Sequence, residues 1–400
     1  MAFQISHGAR SYGGVQMLKR TDALASTHLE KTAKLAEWML NSGIQNISSD
    51  EKKNGSFNSW YDIDKGAHAF MYSEITGYGI TTLLYLYDIT HNEVFLERAK
   101  LAGDWLLNQA LHDCGGVIVK IHHDGQPDNN IFSFDNGMVL FGLTNLARVS
   151  KINKYSDGAE TIADFLLSIQ KNDGLMNAMF DVTISEAVNN DSKWSTQSGG
   201  YHAKISLGLI ALSNFSGKAK YMNSAEKLCD ASLQFQKASG RFIFGDKTHL
   251  HPHSYACEGL IYANHFLNKK QYINSIESAV KWAFEQQLKD GGLPTLYSSE
   301  GKDESQRTDI LSQIVRLGVL MMQERNLPLK EKLELLYNRL VSFQNLQASS
   351  NQAGGMFYGY ENGQKMNHIN SWCSMFALQA IDFYHEYAVQ KNKVKIDYLV

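Results

Sequence analysis

The chain repeats itself, and the length of the repeat narrows the fold more than any other feature. Six times an amphipathic helix ends in glutamine and enters a polar, glycine-containing turn. The phrases are LAEWMLNSGIQ to Gln45, LAGDWLLNQ to Gln109, IADFLLSIQ to Gln170, LCDASLQFQ to Gln236, AVKWAFEQQ to Gln287 and NRLVSFQ to Gln344. Steps between these glutamines run from 51 to 66 residues. That suits two helices and two loops, and exceeds the roughly 34 to 47 residues of common two-helix solenoid repeats.

Between these phrases lies a second kind of helix, expected over 74–90, 135–149, 201–215, 254–267, 309–324 and 371–387. Its texts, such as DNGMVLFGLTNLARV and SWCSMFALQAIDFYHEY, are apolar on most sides and rich in Gly, Ala and Ser. A helix with so little polar face is buried. The glutamine-ending helices carry Lys and Glu on one side and Leu, Trp and Phe on the other. Six outer and six inner helices in alternation predict an all-α, (α/α)6 toroid of six helical hairpins. One barrel domain is expected over 28–388, with a lead segment 1–27 and a tail 389–400. Only four prolines occur, and no long alternating Val/Ile run calls for a central sheet. Short strands fit in loops, for example 115–123.

Composition removes several classes. Net charge is −3 with no dense Lys/Arg block, which argues against a nucleic-acid surface. No apolar run approaches the ~20 residues of a membrane span, and MAFQISHGARSYGG has no apolar signal core. The protein therefore reads as soluble and cytoplasmic. Cys114, Cys229, Cys257 and Cys373 form no CxxC pair and read as free thiols. No cofactor is expected, and oligomeric state is not readable.

In a double ring all six outer-to-inner loops open on one face, where the inner-helix N-termini point their free N–H groups. Those loops hold the polar aromatics and eight of the fourteen histidines. Aromatic platforms mixed with carboxylates, imidazoles and amides suit a sugar, so a glycan substrate is expected. The catalytic candidates are Glu258, Asp135, Tyr255, His202 and His253. Glu258 stands out because a carboxylate one turn into an apolar helix needs a partner. Substrate-binding candidates are Trp60, Tyr61, Glu74, Tyr78, Asn136, Tyr201, Lys204, His251, Arg307, Asp309, Tyr358, Tyr360, His368, Asn370 and Trp372. Asp135 and Asp309 also read as helix caps. His249, His251 and His253 alternate, and on an extended strand they would share one side. Zinc accepts such a set, but solvated or sugar-binding histidines are the expectation. No metal is assigned.

The alternation, with the phrases SEITGYGITTLLYLYDIT, FSFDNGMVLFGL and NSWCSMFALQAIDF, resembles the six-hairpin glycosidase-like superfamily over residues 28 to about 388. More distantly it resembles the helical domain of glucuronyl C5-epimerases, whose His-Ile-Asn stretch matches His368 and Asn370 in NHINSWCSMFALQAID. The resemblance implies an epimerase or lyase acting on a uronate-containing glycan. A Tyr or His would remove the C5 proton, and Lys204, Arg307 or the His249–His253 cluster would supply positive charge. Two alternatives stand beside it. One is a glycoside hydrolase using Glu258 and Asp135, with Glu74 and Asp309 in reserve. The other is a non-catalytic glycan-binding or assembly protein.

Overall fold

A computed structural model describes residues 23–128, 130–346 and 351–400. Most of the expected lead, residues 1–22, lies outside the described residues; the rest of it begins the first helix. Twelve α-helices follow in order: α1 (Ala23–Asn41), α2 (Ser73–Thr90), α3 (Glu93–Trp105), α4 (Ser133–Ser150), α5 (Asn153–Ser168), α6 (Ser206–Ser216), α7 (Ala219–Ser232), α8 (Leu250–Leu267), α9 (Lys270–Glu285), α10 (Thr308–Arg325), α11 (Lys330–Val341) and α12 (Ser371–Tyr384). Even-numbered helices pack in sequence around an axis, and α12 returns to α2. Odd-numbered helices form the outer ring. The expected toroid is present.

The inner ring is tight because glycines meet backbone. A Cβ on Gly77 would lie 2.8 Å from Val139 N, and one on Gly259 2.1 Å from the Ala203 carbonyl carbon. Two-residue links with a left-handed first residue (His91, Lys151, Gly217, Asn268) join four inner helices to the next outer helix. The opposite connections are long and carry the short sheets.

The recurring glutamine is a clamp. Gln170 Nε2 donates to Gly174 O of its own turn at 2.8 Å and to Ser224 O in the next outer helix at 3.1 Å. Gln45, Gln236 and Gln287 make the same pair of bonds. Gln344 closes the ring by reaching Gly354 O and, at 2.9 Å, Lys31 O. Each turn glycine (55, 115, 174, 240, 291, 354) has φ between +87° and +98°, and its missing Cβ makes room for a carbonyl of the neighbouring outer helix. The second repeat departs from this scheme. A π-turn over Leu106–Ala110 ends α3, and Leu111 takes the clamp position, pairing with Val117 as Gln170 pairs with Met176. Gln109 is therefore two residues short of it.

Helix starts are stitched to the following loop. Ser73, Leu250 and Thr308 donate their N–H to Val119, Thr295 and Tyr358, and Ser371 donates to Ser59 across the seam. A four-stranded antiparallel sheet reinforces that seam, with Trp60, Tyr61 and Asp62 opposite Asn370, Ile369 and His368.

Residues 389–400, read from the sequence as a tail, enter the barrel between the C-terminal ends of the inner helices. Val394 N donates to Gln323 Oε1 at 2.9 Å, and Leu399 and Val400 are buried. Val400 O accepts from Lys204 Nζ at 3.1 Å and Arg316 Nη1 at 2.6 Å. Among the described residues no helix is long and apolar enough to cross a membrane.

Candidate active site

The bowl at the inner-helix N-termini is built from one repeated position. The second residue of each inner segment is Glu74, Phe134, Tyr201, His251, Asp309 and Trp372; Tyr201 sits in the 3₁₀ turn Gly200–Ile205 that leads into α6. In five of the six (Ser73, Ser133, Leu250, Thr308 and Ser371) the stitched first residue fixes the helix start, so its successor turns toward the axis. Six equivalent places thus hold two acids, an imidazole and three aromatics. Five of the six line a cavity of about 420 Å³, and Asp309 lies behind it.

One wall is acidic. Glu74 is held near Tyr72 by a side-chain hydrogen bond, and burial pushes its carboxyl up to about 7. Asp135, one residue beyond Phe134, is raised well above the usual carboxylate range by burial and by the Glu74 charge. Its Oδ2 is buried with no hydrogen-bond partner. Two carboxyls sharing such a site cannot both ionise near neutrality, and Asp135 is the one that keeps its proton. It is not a helix cap, because the cap position of α4 is Phe132.

The opposite wall is α8. His251 Nδ1 lies 2.9 Å from Gln313 Oε1, and Gln313 Nε2 donates to Glu258 Oε2 at 3.1 Å. The Glu258 contact orients the amide, so its oxygen faces His251 and the imidazole carries its proton on Nδ1. Nε2 is left as a lone pair on the cavity side. Burial pulls the His251 pKa down to about 4, which keeps the ring neutral. Asp309 Oδ2 stands 3.5 Å from Nδ1, ready to face an imidazolium. Burial would raise Asp309, but Arg307 and His251 outweigh it and hold the carboxyl at about 2. Arg307 grips Asp309 through Nε and Nη2, and Trp372 Nε1 donates to it at 3.0 Å.

Beneath the floor lies an ion cluster. Glu258 accepts from Lys204 at 2.8 Å and from Arg316 at 2.5 Å, and all three are fully buried. Burial alone would raise the Glu258 carboxyl; the two cations reverse this and hold it below its ordinary value. Lys204 Nζ sits 4.6 to 5.0 Å from the rings of Tyr78, Tyr255 and Phe376.

Of the residues singled out from sequence, Asp135, Tyr255, Glu74, Tyr201, His251, Arg307 and Trp372 meet in this cavity. Trp60, Tyr358 and His368 line an adjoining one. Glu258 and Lys204 do not reach the cavity, because they neutralise each other below it. Tyr78 is buried at the same level. His253 turns to the outer ring, taking Phe242 N–H at 3.2 Å and approaching Ala279 O. His202 is buried against Ser133. The shared histidine face is absent because only Thr248–His249 is strand and α8 begins at Leu250. Asn136 is spent on Val117 and Phe132, and Asn370 caps α12. Tyr61 packs on His68, and Tyr360 lies under Arg339. Gln313 and Arg316 escaped the sequence reading. Their signal was present as two polar residues, three apart, inside the apolar run DILSQIVRLGVLMM.

Among solved structures the chain superposes on cellobiose 2-epimerase from Bacillus thermoamylovorans B4167 with a TM-score of 0.75 at 15% identity, covering 90% of this chain and 99% of that one. D-mannose isomerase gives 0.72 at 12% identity, with 91% and 97% covered. An unsaturated glucuronyl hydrolase specific for heparin gives 0.66 at 12%, again with 91% and 97% covered. At these identities the likeness establishes the fold alone, an (α/α)6 barrel. No family model and no curated protein matches the sequence.

Proposed function

We propose that the protein is a sugar-active enzyme that moves a proton at a carbon of its substrate, an epimerase or isomerase. The observation that carries this is the single unprotonated imidazole nitrogen, fixed by Gln313, in one cavity with Asp135, which burial keeps protonated, and Glu74, which burial pushes up to about 7. His251 Nε2 takes the proton from the carbon next to a carbonyl, and the C–H electron pair becomes a C=C bond. Asp135 gives its proton to the carbonyl oxygen, leaving an enediol, and Asp309 faces the new imidazolium. His251 then returns the proton to the neighbouring carbon, or to the other face of the first once the enediol has turned past it, and Asp135 recovers a hydroxyl proton; the first course is isomerisation and the second epimerisation. The epimerase and isomerase named among the fold neighbours support this choice.

The charge pattern favours a neutral sugar over the uronate expected from sequence. Arg307 is matched by Asp309, Lys120 by Asp128 and Lys204 by Glu258. A substrate carboxylate would find these three cations already paired and an acidic wall opposite; Lys193, exposed on the cavity lining, is the one cation there outside an ion pair among the described residues.

A second reading has its own observation. A protonated Asp135 beside a Glu74 that ionises near 7 is also a general acid and a base for glycoside hydrolysis. Incubation in D2O with reducing neutral oligosaccharides and with glucuronate oligosaccharides separates these readings. Deuterium at C2 of a neutral sugar is the expected result. Deuterium at C5 of a uronate restores the uronate reading, and a new reducing end without exchange replaces proton transfer by hydrolysis.

A further inference from the structure

Two more cavities adjoin the first. One of about 250 Å³ shares Trp194, His251 and Arg307 with it, and one of about 630 Å³ shares Trp372. These two in turn share Tyr358, Glu361 and Met366. The largest lies at the seam, where strand 60–62 pairs with strand 368–370. It holds none of the proton-transfer groups.

An aromatic strip crosses it toward the catalytic cavity. Trp60 meets His368 at 5.3 Å, His368 stacks on Tyr358 at 4.7 Å and 29°, and the Arg307 guanidinium covers Tyr358 at 4.9 Å. His368 Nδ1 is buried without a protein partner, and burial lowers the ring's pKa to about 4. The ring is therefore neutral, and it forms part of the cavity lining. Asp62, Asp64 and Glu361 supply acceptors at the edge. Apolar ring faces with acceptors around them match a pyranose, which presents C–H faces and peripheral hydroxyls. At about 630 Å³ the cavity falls within the 300–1,000 Å³ range that ligand sites occupy.

We propose that this seam cavity is a second saccharide subsite, so that the substrate is a neutral oligosaccharide with its reacting unit in the first cavity and a neighbouring unit on the Trp60–His368–Tyr358 strip. This rests on the sugar-active reading above. The test uses the mono-, di- and trisaccharides of glucose, mannose and galactose. Binding is followed by tryptophan fluorescence, and turnover by deuterium uptake in D2O. In the preferred series, Kd falls at least tenfold from mono- to trisaccharide, and Trp60→Ala collapses that ratio toward one while Trp60→Phe restores most of it. Equal affinity at every length, equal weakening of all lengths by Trp60→Ala, or no binding in any series overturns the subsite. Length-dependent binding without exchange keeps the subsite and sinks proton transfer. Exchange without length dependence does the reverse.

Discussion

Gln313 holds His251 by its carbonyl oxygen, 2.9 Å from Nδ1, while its amide nitrogen is held by Glu258. The buried ion cluster thereby decides which nitrogen of the His251 imidazole is free. Replacing Gln313 with Leu removes that decision without touching the cavity surface. Proton exchange is expected to fall about tenfold or more, and ¹⁵N NMR of the His251 ring should show mixed tautomers. His251→Ala should cost on the order of 10² to 10⁴, the usual share of a general base. A Gln313→Leu protein with a single Nδ1–H tautomer and full activity would refute the relay.

The pH profile follows from the two walls. His251 must be neutral, and its pKa is pulled down to about 4; Glu74, pushed up to about 7, loses its proton above that. The kcat/KM curve should be a bell with limbs near these values, because an ionised Glu74 opposes the negative charge that builds on the substrate's carbonyl oxygen beside Asp135. Glu74→Gln should abolish the alkaline limb and leave the acid one.

The same carboxyl links stability to pH. Native Glu74 holds its proton more tightly than the unfolded chain does, so the native state binds more protons between about 4.5 and about 7. Stability therefore falls as pH rises through that window, by about 3 kcal/mol at ~1.36 kcal/mol per unit. Urea denaturation from pH 4.5 to 8 should show this decline in the wild type and a shallower one in Glu74→Gln.

Glu258→Gln leaves Lys204 and Arg316 buried beside a neutral amide. Breaking such a cluster from one side costs about 3 to 5 kcal/mol, readable as a lowered urea midpoint. A loss below about 1 kcal/mol would mean that the two cations find another counter-charge.

Gly240→Ala should destabilise far more than Gly217→Ala, although both have positive φ. A Cβ at 240 would stand 2.3 Å from Ser278 O, whereas at 217 nothing lies within 4 Å. The second change carries only the left-handed backbone penalty, about 1 to 2 kcal/mol. Parallel denaturant titrations of the two variants provide the measurement.

The ring was legible because a toroid repeats its solutions. The glutamine clamp and the turn glycine recur where one outer helix must meet the next, and local text records that need. Gln109 misled because a π-turn inserts backbone without changing composition. The site was legible as a face and less so as chemistry. Glu258 was rightly read as a carboxylate needing partners. Those partners, Lys204 and Arg316, come from other hairpins, and only packing reveals that they consume it. The importance of His251 over His253 depends on α8 starting at Leu250, a boundary that Pro252 permits in the first turn but does not specify.

The Gln344 clamp has a consequence for how the ring comes apart. It spans 313 residues to Lys31, whereas the clamp of Gln170 spans 54 and that of Gln236 spans 39. All are chemically alike, but closing the longer loop costs about 1.5 kcal/mol more in chain entropy. The molecule is thus a bracelet with one clasp. Unclasping at α1 is the cheapest opening, and it would part the very strands that carry Trp60 and His368. Native-state hydrogen exchange should find the amides of α1 and strand 60–62 exchanging together, ahead of the four other glutamine-clamped junctions.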